Sequence, residues 1–155
     1  MLHIHAAMGL DFLRLVEHVH GHLGWLAAAL LVHPALVLRR PDRRAHVAVG
    51  LATSLVTLGA GIGIWLYGGY RTHLKQQIFV ASPRVGFLFE RKEHLALGAV
   101  LLAWAGCAAY VAADRAKPPV RLPLRMFAWR AFAASAALAI VVAVLGTVVA
   151  VFRTF

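Results

Sequence analysis

Hydropathy divides the chain into four long apolar runs separated by short polar blocks. The runs extend from about Gly21 to Leu38, Ala45 to Tyr70, Leu95 to Ala113 and Ala128 to Phe152. A helix crosses the hydrocarbon core of a bilayer with roughly twenty apolar residues, and each run is near or above that length. Lipid offers the backbone no water, so each run is predicted to be a helix that satisfies its own N–H and C=O groups. The strict alternation that a membrane barrel needs is absent.

The polar blocks predict how these helices connect. The segment RRPDRR, from Arg39 to Arg44, is a tight basic turn and makes the first two helices an antiparallel hairpin. DRAKPPVRLPLR, from Asp114 to Arg125, joins the last two, and its three prolines are predicted to bar regular helix there. The middle connection, Arg71 to about Glu93, contains the apolar stretches QIFV and VGFLF and reads as a surface-lying or re-entrant segment. The expected fold is all-α: one integral membrane domain over residues 1–155, an up-down antiparallel four-helix bundle.

Composition supports a lipid environment. With 61% hydrophobic residues and 14% charged, the chain cannot supply the polar surface of a soluble domain. The formal net charge of +10 comes from residues at the ends of the apolar runs, where they meet lipid head groups. That placement makes the bilayer, and not nucleic acid, the expected partner. Nine Lys and Arg residues fall on the side of the two flanking turns and seven on the other. By the positive-inside rule this puts both termini on the outer side of a bacterial inner membrane. The N-terminus shows no basic leader and no cleavage site, so the first segment is expected to remain. The single cysteine, Cys107, rules out an internal disulfide and a cysteine metal cage. No Ser-His-Asp set or phosphate loop is present, so hydrolytic chemistry of the soluble kind has no support.

Nine histidines change the picture: His3, His5, His18, His20, His22, His33, His46, His73 and His94. Ionisable groups at membrane depth are costly and mark function. At about 100° per residue, Asp11, Leu15, His18, His22, Ala29 and His33 fall on one stripe of the first helix. Eleven residues separate His22 from His33, about 16 Å along the axis. On the second helix His46, Gly50, Thr53, Thr57, Gly61, Ile64 and Gly68 share a face whose small residues suit close helix packing or a flat macrocycle. On the third, Glu90, His94, Gly98, Leu101 and Ala105 align. The fourth helix has no ionisable side chain from Ala131 to Phe152 and reads as a packing wall. Depth and face together suggest an outer pair, His22 with His94 (His73 or His18 as substitutes), and an inner pair, His33 with His46. Facing imidazoles suit six-coordinate haem iron, with Arg71, Lys75, Arg84 and Arg91 or Arg39, Arg43 and Arg44 to balance propionates.

On those histidines and the four spans, the layout resembles the small four-helix, di-haem b-type membrane cytochromes, including bacterial cytochrome b561-like proteins. The resemblance implies two haem b groups and electron transfer to or from a quinone, alone, as a homodimer or within a larger redox complex. In that family the fourth helix also supplies haem ligands, whereas here it has no histidine. A second chemistry competes at the outer end. There HVHGH at His18 to His22, with Glu17, Glu90 and Glu93, suits copper, zinc or iron. A cofactor-free accessory subunit is the third reading.

Overall fold

The structure is a computed structural model. It describes residues 2–151 except 74, and side chains from residue 12 onward except at 73 and 74. His3, His5, Asp11 and His73, all singled out above, therefore have side chains outside the described set. Five helices follow one another: α1 (Leu2–Val37), α2 (His46–His73), α3 (Lys75–Ala81), α4 (Pro83–Arg115) and α5 (Pro118–Val151).

Helix α1 packs on α2 and α5, and α4 packs on the same two, which closes a four-sided bundle of antiparallel neighbours. Short α3 lies against α2 and α4. Four of the helices are long and apolar enough to cross a membrane, so the chain is an all-α, multi-pass membrane bundle.

Both longer connections are largely helical. The middle connection is no loop: α2 runs through Arg71, and α3 and α4 are separated by Ser82 alone. Ser82 donates its N–H to Ile78, and Gly86 donates to Ser82, so the backbone bonding hardly lapses at this corner. Pro83 stands at the first turn of α4, where a missing N–H costs nothing. The same reason overturns the expectation that prolines bar helix between Asp114 and Arg125. Pro118 and Pro119 open α5, and exposed Pro123 follows within its second turn, where water or head groups can serve the freed carbonyl.

Small residues let the core close tightly. Ala27, Ala28, Ala52, Ala99 and Ala103 are buried around Leu31, Tyr110 and Phe132. Gly106 of α4 lies under the Phe132 ring of α5, where an added Cβ would stand 3.0 Å from Cδ2. Buried Ser135 of α5 donates to the Ala99 carbonyl of α4 at 2.7 Å. Outward positions are apolar instead: Val47, Leu58, Ile64 and Leu101 are each more than half exposed, as a lipid-facing surface requires.

The helices are longer than the bilayer is thick. Helix α1 has 36 residues and α4 has 33, about 54 and 50 Å against a hydrocarbon core of about 30 Å. The excess lies at the end where α3 sits. There a second cluster of Tyr70, Ile78, Val85, Phe89 and Val149 holds the helices together.

Candidate functional site

Two polar layers mark the ends of the apolar slab. At the end with the short connections, buried Arg125 of α5 is the centre. It pairs with Asp114 of α4, donates to the Arg43 carbonyl at 3.3 Å, and lies 4.2 Å over the Tyr110 ring. Tyr110 in turn accepts the Ala45 N–H at 2.7 Å. His46 completes the group, with Nε2 3.5 Å from Asp114 and its ring edge-on to Tyr110. Three connected segments are thus tied at one point, and burying the guanidinium is tolerable because a carboxylate, a carbonyl and a ring face surround it.

The second layer lies 21 residues up α4 from Asp114, about 32 Å away. His20 of α1 turns partly into the bundle against α2, with its Cε1 3.0 Å from where a Cβ on Gly63 would be. Lys92 and Glu93 of α4 are its charged neighbours, and its Nδ1 is buried without a hydrogen-bond partner. Lys92 pairs with Glu93 at 3.1 Å and covers the Phe89 ring at 4.7 Å. One turn further out Lys75 of α3 pairs with Glu90 at 2.8 Å, and the buried Tyr70 ring stacks on Phe89 at 3.8 Å. Imidazole, ammonium and carboxylate thus share this edge of the slab.

Between the layers, apart from His22 and His94 at the edge of the second, His33 and Arg130 are the described His, Asp, Glu, Lys or Arg side chains. Arg130 is exposed one turn from Arg125 and can extend back to the interface. An imidazole is too short to do so. His33 is exposed on the outside of α1, and so are Leu15, His18, His22, Ala29 and Leu36. The stripe read from the sequence is therefore real as geometry, and it faces away from the bundle.

The remaining predicted residues lie apart. His94 is exposed on α4, its Nδ1 2.8 Å from the Glu90 carbonyl of its own helix. His22, on α1, is exposed two sides around the bundle from it. His46 faces Asp114 and Tyr110. All four of His22, His33, His46 and His94 are exposed, so none of them turns into the packed core. Of the outer cluster, His18 is exposed, Glu17 half-buried and Glu90 committed to Lys75. Among the described residues no three His, Cys, Asp or Glu side chains are grouped closely enough to hold a metal ion. The small-residue face of α2 is also mostly open, since Gly50, Gly61 and Gly68 have nothing near them.

Arg125, Asp114 and Lys92 organise both layers, yet the sequence reading used them only as counted charges or not at all. One signal was available for Arg125: it falls on the same helical face as Ala128, Phe132, Ser135 and Ala139 of the apolar run. No family model matches the chain, and neither does a curated protein or a solved structure.

Proposed function

We propose that this membrane bundle is a b-type cytochrome that passes electrons to or from a quinone, with haem held by the outward histidines His22 and His33 of α1. The supporting observation is His33, an exposed imidazole within the apolar slab. An uncovered imidazole in hydrocarbon is expensive, and axial ligation removes that expense because iron takes the free nitrogen and the macrocycle covers the ring. His22 repeats the arrangement eleven residues away on the same face, about 16 Å along the helix.

The residues fit haem with one condition. His94 and His46 point elsewhere, so the second axial imidazoles come from another chain, most simply the His22 and His33 of a second copy across a two-fold axis. Small Ala29 between them leaves room for flat groups on that face. His20 with Glu93 would move protons at the opposite edge. Haem, when bound, supplies the one-electron chemistry.

Absorption spectra of the detergent-purified protein, oxidised and then reduced, beside an iron assay, test this reading. Low-spin b-haem is expected, with about half of it lost in His33→Ala and all of it kept in His46→Ala. Retention of the full haem content by His33→Ala would sink the assignment. A second reading rests on the unpartnered Nδ1 of His20 beside Glu93: a histidine–carboxylate site for copper, zinc or iron. Stoichiometric metal without a haem band would favour it. With neither found, the accessory-subunit reading stands.

A further inference from the structure

The turn between α1 and α2 forms an open cleft of about 710 Å³, lined by Leu36, Val37, Arg39, Arg40 and Arg43. Its shape is fixed by the backbone. Arg39 and Arg40 donate their N–H groups to Leu36 and Val37, and Arg43 donates to Arg40 at 3.1 Å. The far end is pinned twice, by Arg125 on the Arg43 carbonyl and by Tyr110 on the Ala45 N–H.

The electrostatics of the cleft are one-sided. Arg39, Arg40 and Arg43 have no ion-pair partner among the described residues. Asp114 of α4, whose partner Arg125 reaches the Arg43 carbonyl, is committed to Arg125 and His46. Asp42 is the single acid within the turn itself, against four arginines. Three arginines thus line the cleft at the level where the slab ends, beside apolar Leu36 and Val37. A free inorganic anion would use the arginines and leave Leu36 and Val37 idle. A phospholipid uses both, with its phosphate in the fork of guanidinium groups and its acyl chain down α1.

We propose that this cleft binds the head group of an anionic phospholipid. It is independent of what the histidines hold. Each arginine at such a surface adds roughly a fivefold factor to the binding of anionic lipid, so losing three weakens it by on the order of a hundredfold.

Native mass spectrometry of the full chain in detergent tests the proposal, with added phosphatidylglycerol or phosphatidylcholine of the same acyl length. Wild type is expected to retain phosphatidylglycerol at least about tenfold over phosphatidylcholine. Excess inorganic phosphate should not displace it. Replacing Arg39, Arg40 and Arg43 together by Gln should abolish the preference, while Arg115→Gln, Lys117→Gln and Arg121→Gln together, an equal loss of charge on the other connection, should keep it. Equal retention of the two lipids by wild type overturns the proposal without recourse to any variant. So does an equal loss in the control triple, which would mean bulk charge alone. Complete displacement by phosphate would make the cleft a simple anion site and overturn it as well.

Discussion

At the scale of single residues, the clamp at the connected end makes an asymmetric prediction. Arg125 is buried, with 8% of its side chain exposed, whereas the Asp114 side chain is 35% exposed. Removing Asp114 strands a buried cation. Removing Arg125 leaves a carboxylate that water and His46 can still reach. Asp114→Ala is therefore expected to cost about 3 kcal/mol, and Arg125→Met about 1 to 2 kcal/mol, because a stranded buried charge is the expensive outcome. Thermal unfolding in one detergent would measure both, and an Arg125→Met loss equal to or above that of Asp114→Ala would contradict the account. Sequence reading reached His46 but not its partner. Asp114 lies 68 positions away, and only the closure of α2 against α4 brings them together. Helical periodicity found the face of His22 and His33 correctly, because that information is local. Whether the face turns inward or outward depends on which neighbours α1 acquires, and no local pattern carries that.

At the scale of helices, glycines divide into those that space two elements and those that do not. Gly61 of α2 has nothing near its would-be Cβ, although its run of small residues looked like a packing seam. Gly61→Ala should thus be neutral or stabilising by up to about 1 kcal/mol, since alanine favours helix. Gly106→Leu should cost about 2 kcal/mol or more, because Phe132 and Ala131 of α5 occupy the space. Denaturation of the two variants in the same micelle compares them, and a loss in Gly61→Ala as large as that in Gly106→Leu would refute the division. Gly63 is a finer case, since its neighbour is the His20 ring. Gly63→Val is expected to destabilise by about 1 to 3 kcal/mol, and His20→Ala should recover much of that in the double variant. Additive losses would show that the ring is not packed there. The start of α5 departs from expectation for a related reason: three prolines among charges suggest a break in the helix, but prolines at first turns are compatible with it. The four spans themselves were legible, because length and hydropathy act through the solvent and need no partner.

At the scale of the whole molecule, the two polar layers locate the bundle in the bilayer. Glu93 and Asp114 are 21 residues apart on α4, about 32 Å, and no Asp, Glu, Lys or Arg lies between them on that helix. That distance matches a hydrocarbon core of about 30 Å, so sliding the bundle by even two turns would draw a charged layer into lipid. The excess length then has to stand in water on the α3 side, where Lys75, Glu90, Lys92 and Glu93 pair among themselves. The positive-inside rule predicts the direction from nine Lys and Arg on the connected side against seven, with both termini outside. Single cysteines in a Cys107→Ser background should therefore respond by layer to a membrane-impermeant maleimide. Val80→Cys, at an 80% exposed position of α3, should react from outside sealed cells, and Val120→Cys, at the start of α5, only after the membrane is opened. Leu101→Cys, exposed on α4 between the layers, should resist the reagent in both states because lipid covers it. Reaction of Val120→Cys and not Val80→Cys in sealed cells would invert the orientation and leave the bundle standing. Reaction of Leu101→Cys would remove the slab itself, and with it the reason to treat His33 as an imidazole in need of a ligand.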